Sequence, residues 1–319
     1  MFRIPLSAAA LTAFATSLMA EVPAVATDIA PVHALVAQVM AGVGSPELIV
    51  PPRASPHGYA MRPSEARALS GADLIVWVGP ALTPWLAEPI TTLAGEAGQL
   101  ALIEFPETQV LGFREGAAFG AHAHEDADGS NDHAAEAPSD GGDDAAHGPI
   151  DPHAWLDPRN GQTWLGHIAE ALAELDPENA VQYRANAKAG QAALVDLEAE
   201  ITEMLAPVKD RPFIVFHDAY HYFEARFDSE ALGAISENDA RAPGAARVAE
   251  LRAVVQDSGA KCVFAEPQFN PGLTAAVTEG QGTKLGTLDP IGVELKPGAG
   301  LYAALLREMA QSMAECLSG

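Results

Sequence analysis

Short β-rich runs recur along this chain at the spacing of βα units, in two sets of four. The first set is AVATDI (24–29), ELIV (47–50), DLIVWVG (73–79) and LALIEF (100–105). The second is PFIVFHD (212–218), EALGAIS (230–236), KCVFAEP (261–267) and KLGTLDP (284–290). Helical segments separate them: 31–42, 62–71 and 83–95 in the first half, then HYFEARF, GAARVAELRAVVQDSG, PGLTAAVTEGQG and LYAALLREMAQSMAECL in the second. Strands that alternate with helices in this way build parallel sheets covered by helices. The predicted fold is α/β, with two lobes that each hold a four-stranded, mainly parallel sheet.

The two sets are joined by a stretch of helical periodicity at 176–207. Asp176 suits an N-cap and Pro177 the first helical position, apolar or small residues recur at 183, 187, 190, 194, 197, 201 and 205, and Pro207 closes the run. A helix of this length spans about 45 Å. It is expected to act as a stiff spine, which sets the domain organisation: a first lobe over 21–176, a linking helix over 177–207 and a second lobe over 208–319. The ligand cleft then lies between the lobes.

One segment fits neither lobe. From His122 to Gly148 the chain carries four histidines and eight acidic residues, with no Lys, Arg or large apolar side chain. Such a stretch cannot bury enough apolar surface to fold alone, so residues 119–149 are expected to form a flexible loop. The formal charge is −25, and removing those eight acids leaves about −17 elsewhere. This balance excludes nucleic-acid and anionic-membrane binding, which need clustered Lys and Arg, and suits a protein that attracts cations.

Residues 1–20 read as a secretory signal peptide: Arg3, then a short apolar run closing on Ala20. No Cys stands near the cleavage point, so no lipid anchor is expected, and the mature protein is placed in an extracytoplasmic space. The two cysteines, Cys262 and Cys316, suit one disulfide in an oxidising compartment, or two buried thiols. A bridge would contribute about 4 kcal/mol by the chain-entropy argument.

In open α/β sheets, ligands bind beyond the carboxyl ends of the strands. His57 follows ELIV, His217 ends PFIVFH, and Asp289 follows KLGTL; His153, in DPHAWLDP, comes after the acidic segment and before a helix starting near Pro158. Two candidates come from each lobe, and all four can face one cleft. Three imidazoles and a carboxylate suit four-coordinate Zn²⁺, whereas Mn²⁺ favours more oxygen ligands.

The segments SPHGYAMRPSEARALSGADLIVWVG, DPHAWLDP, FHDAYHYFEARF, FAEPQFNP and LDPIG together resemble the cluster A-I substrate-binding proteins of metal ABC transporters, in particular the zinc-specific, ZnuA-type subgroup. The resemblance covers nearly the whole chain from about residue 29. It implies two α/β lobes joined by a rigid helix with the metal between them. Carried over motif by motif, His57, His153, His217 and Asp289 hold Zn²⁺, and Cys262 pairs with Cys316. Manganese-type relatives have Glu where His217 stands, so the resemblance favours zinc. Pro56 precedes His57 where some zinc relatives have Glu, which leaves the fourth position to Asp289 or water.

His- and acid-rich insertions before the second histidine motif also mark zinc-type relatives. His122, His124, His133 and His147 are therefore expected to form secondary, weak zinc sites. The function implied is a periplasmic protein, monomeric and not an enzyme, that delivers zinc to an inner-membrane ABC permease, with an accessory periplasmic zinc chaperone as a further partner. The alternatives are manganese transport, a surface adhesin and a zinc hydrolase; against the last, no Glu stands in an H-E-x-x-H arrangement. His221, one turn after His217, reads as a helix-surface residue, His33 and His167 as structural, and Trp155 as a shield beside the metal.

Overall fold

The computed structural model describes residues 22–114, 119, 150–236, 245–269, 271–280 and 282–319. The signal-peptide assignment at 1–20 and the histidines His122, His124, His133 and His147 lie outside these residues.

The first sheet contains β1 (Val25–Thr27), β2 (Glu47–Leu48), β3 (Leu74–Trp77) and β4 (Gly98–Ala101), all parallel, in the order β2-β1-β3-β4. The second contains β5 (Phe213–His217), β6 (Ala234–Ser236), β7 (Cys262–Ala265) and β8 (Lys284–Thr287), again parallel, in the order β6-β5-β7-β8. Each sheet thus has a switch point between its two central strands, where connections leave in opposite directions and side chains can project into a crevice. In the first lobe Asp28 occupies it. Its buried carboxylate accepts the N–H groups of Ile29 and Val78, each at 2.8 Å, and burial pushes its carboxyl up to about 7. In the second lobe the crevice holds His217 and Glu266.

The helices are α1 (Ala30–Val39), α2 (Pro63–Ser70), α3 (Ala87–Leu93), α4 (Pro158–Leu175), α5 (Ala180–Leu205), α6 (His221–Phe227), α7 (Ala245–Ser258), α8 (Pro271–Thr278) and α9 (Leu301–Leu317). The strand expected at 100–105 is shifted: β4 pairs through Gly98–Ala101, and Leu102–Glu104 form a 3-10 turn that buries Leu102 and Ile103. The apolar run there marks burial, not pairing.

Helix α5 buries Tyr183, Ala187, Gly190, Leu194, Leu197, Ile201 and Leu205, the periodic face expected of it. It starts three residues later than expected because Asp176 caps a turn, accepting from Asn179 Nδ2 at 2.7 Å and the Tyr183 hydroxyl at 2.8 Å. It is not a lone spine. The four-residue connection from α4 makes a helical hairpin, and α5 also packs against α1 and α9. Helix α9 of the second lobe in turn packs on α1 of the first. One continuous apolar core therefore runs from Val25 and Leu35 through Leu165 and Leu197 to Phe213, Phe264 and Leu305, while smaller clusters cover the outer faces of the two sheets. A disulfide joins Cys262 at the start of β7 to Cys316 near the end of α9, fastening that helix to the second sheet.

Buried ion pairs reinforce the junction. Arg226 on α6 pairs with Asp157, the α4 N-cap, at 2.6 Å. Arg114, at the edge of the acidic segment, pairs with Asp218 and Glu224 and lies over the Phe119 ring.

Candidate metal centre

Three histidines converge between the lobes. His57 lies in a 3-10 turn, Pro56–Gly58, whose start is capped by the Ser55 hydroxyl. Trp85 holds that turn by donating its indole N–H to the Pro56 carbonyl at 2.8 Å. His153 precedes the 3-10 turn Ala154–Leu156, and Asp157 then caps α4 by accepting from the Arg159 N–H at 2.8 Å. His217 is the last residue of β5.

The Nε2 of His153 lies 3.3 Å from that of His57 and 3.4 Å from that of His217. One ligand atom from each of the three falls within 4.8 Å of the others. A tetrahedral ion bound by imidazoles at about 2.0–2.1 Å would hold its ligand nitrogens about 3.3–3.4 Å apart, which the two His153 distances fit. His153 and His217 are buried and His57 is half-buried. The cavity they share with Pro56, Trp155 and Phe269 has a volume of ≈ 20 Å³. That is room for a water-sized occupant, far below the several hundred Å³ of a small-molecule site.

Each buried imidazole turns its other nitrogen toward a carboxylate. Nδ1 of His153 is 2.7 Å from Asp151 Oδ1, and Nδ1 of His217 is 2.6 Å from Glu266 Oε1. Burial pushes the Asp151 carboxyl up to about 7, opposed by the hydrogen bond from the His153 backbone.

Asp289 is placed differently. It is not one of the three clustered ligands. Its Oδ1 accepts the N–H groups of Ile291 and Gly292 at 3.1 and 2.9 Å, and its Oδ2 accepts that of Val293 at 2.5 Å. Burial raises its pKa and these backbone donors lower it. The carboxylate thus shapes the turn that places Pro290 and Ile291 against the cavity.

Trp155 is fully buried with its ring centroid 5.2 Å from that of His153. Its position depends on Gly161, where a Cβ would come within 2.5 Å of the Tyr302 hydroxyl, which donates to the Trp155 carbonyl at 2.6 Å. His221 opens α6 and is half-buried, with burial and Arg114 lowering its pKa. His33 lies 3.2 Å from the Pro46 carbonyl and His167 stacks on Phe105, so both are structural.

Sequence reasoning missed Asp151, Glu266 and Arg114. A signal existed for two of them. Glu266 directly follows β7, at a strand end like His217, and Asp151 stands two residues before His153 in DPH.

The fold and the site define a class: two-lobed α/β substrate-binding proteins with a histidine centre between the lobes. Residues 25–316 match the family described as zinc-uptake complex component A, periplasmic (ZnuA). Curated relatives include the high-affinity zinc uptake system protein ZnuA of Brucella suis, 45% identical over 95% of this chain and 94% of the relative. That of Paracoccus denitrificans is 44% identical over 97% and 96%. A crystal structure of ZnuA matches with a TM-score of 0.75 at 24% identity, covering 93% of this chain and all of the other. A zinc-bound ZnuA deletion mutant matches with a TM-score of 0.73 over 94% and 99%. The chain belongs to the ZnuA family of periplasmic zinc-uptake components.

Proposed function

We propose that this protein captures Zn²⁺ in the periplasm and hands it to an inner-membrane ABC permease for import. The observation that carries this reading is the convergence of three imidazole nitrogens from both lobes, with His153 Nε2 3.3 Å from that of His57 and 3.4 Å from that of His217. Family membership and the names of the relatives, zinc uptake proteins over nearly the full chain, support it. The nitrogen-only set also favours zinc over manganese, a harder ion that prefers oxygen.

His57, His153 and His217 supply three ligands. Asp289 holds the 291–293 turn through backbone N–H groups, and the fourth position falls to Asp289, whose carboxylate keeps spare lone pairs, or to a water molecule. The cavity between the histidines, ≈ 20 Å³, has room for little more than a water-sized occupant, which suits ion carriage better than hydrolysis of an ester or peptide. Among the described residues no helix is long and apolar enough to cross a membrane. Export rests on the signal-peptide reading of 1–20.

The test is elemental analysis of protein purified from its native compartment, paired with competition between Zn²⁺ and Mn²⁺. Stoichiometric zinc and strong preference for it are expected. Manganese as the bound metal would overturn the assignment.

A further inference from the structure

We propose that Asp151 and Glu266 are positioning residues that fix His153 and His217 in the Nδ1-protonated tautomer, so that each presents an unprotonated Nε2 to the metal. The inference rests on the zinc-site reading and assigns roles to two residues that are not ligands in it.

For His153 the geometry determines the direction of the hydrogen bond. Asp151 Oδ1 receives the backbone N–H of His153 at 3.0 Å, and that N–H can only donate. The same oxygen lies 2.7 Å from Nδ1, while the other carboxylate oxygen, Oδ2, is buried with no hydrogen-bond partner among the described residues. Oδ1 is the acceptor in both contacts, which makes Nδ1 the donor. Asp151 is itself held rigidly: its N–H donates to the Leu111 carbonyl at 2.9 Å and its carbonyl accepts the Tyr222 hydroxyl at 2.7 Å.

For His217 the pairing is built into the second sheet. His217 ends β5, Glu266 follows β7, and these strands are neighbours through Phe213↔Cys262 and Ile214↔Val263. The sheet register thus fixes the 2.6 Å separation of Nδ1 and Oε1. Both carboxylates are buried, at 0% and 3% exposure, so water does not compete for the imidazole proton.

The two devices come from different lobes. Each lobe brings its histidine to the centre already oriented, so metal binding need not select a tautomer or a ring flip. A carboxylate behind an imidazole also raises the basicity of the coordinating nitrogen. The two Nε2 lone pairs of His153 and His217, 3.4 Å apart, repel each other until a cation lies between them, which prepares the centre for a metal and not for a neutral solute.

The test uses the whole mature protein labelled with ¹⁵N-histidine. Long-range ¹H–¹⁵N spectra of the metal-free form at about pH 8, where ordinary imidazoles are neutral, report the tautomer of each ring. His153→Gln and His217→Gln variants assign the signals. Both rings are expected as Nδ1–H, and an Nε2–H or mixed form at either one overturns the role of its carboxylate. In parallel, zinc competition on Glu266→Gln and Asp151→Asn is expected to show about 10–100-fold weaker binding, with the tautomer of the matching histidine becoming mixed. Wild-type affinity in these variants would contradict the proposal. Failure of the wild-type protein to bind zinc would instead contradict the functional reading, and the tautomer spectra would still decide the inference.

Discussion

Trp155 donates its indole N–H to the Pro290 carbonyl at 2.7 Å, directly across the cleft. One residue stands two positions after His153 of the first lobe, and the other precedes the 291–293 turn of the second. The bond is buried, so neither group has water as a substitute partner. Trp155→Phe keeps an aromatic side chain but removes the donor and leaves the space of the smaller ring unfilled. The orphaned carbonyl should cost about 1–3 kcal/mol, read as a lower denaturation midpoint, with faster zinc release measured by chelator competition. Unchanged stability and release would show that the bond does not hold the lobes.

Zinc binding should move the lobes little. The core is continuous through α1, α4, α5 and α9, and buried pairs such as Arg226–Asp157 cross between the lobes. Wide hinge closure needs a few residues that can absorb a large backbone change, and here helices packed on several sides occupy that place. Small-angle scattering should give nearly the same radius of gyration with and without zinc; a marked contraction would refute the rigid junction.

Local opening should favour the His57 side. There the lobes are joined by Arg53 and Glu294, 2.6 Å apart but 71% and 68% exposed, and His57 is the least buried of the three histidines. An exposed pair contributes at most about 1 kcal/mol and weakens with salt. Arg53→Glu should therefore speed zinc release by no more than about fivefold, and adding Glu294→Arg should restore it. Equal release rates in the single and double charge reversals would remove this pair from the exit route.

Most of this architecture is written locally, and what is not is written in pairs. Strand runs, the periodic face of α5 and the strand-end position of His217 follow from neighbours in sequence. The orienting role of Glu266 depends on a residue 49 positions away, and a carboxylate pointed at a histidine leaves no periodicity to detect. Arg114 reads as a lone charge beside an acidic segment until its partners Asp218 and Glu224 are brought to it. Asp289 carries two signals at once. Asp before Pro-x-Gly is also a turn-forming signal, and its oxygens go to backbone N–H groups.

The acidic segment should bind zinc more weakly than the interlobe centre, because a polar chain loses conformational entropy when it wraps an ion. Deleting residues 120–148 should leave one tight zinc equivalent and remove the weaker ones, as read by calorimetry. Loss of the tight equivalent would place part of that segment in the primary site, and unchanged total stoichiometry would show that it binds no zinc.

The central claim is that His57, His153 and His217 together hold the transported ion. Competition titration of zinc against a chromophoric chelator, on the wild-type protein and on a His57→Ala/His217→Ala variant, tests it most directly. Each lost imidazole removes a direct ligand to the ion. One tight equivalent in the wild type, absent from the double variant with the fold retained by circular dichroism, is the predicted result. Near-native zinc affinity in the double variant would contradict the account.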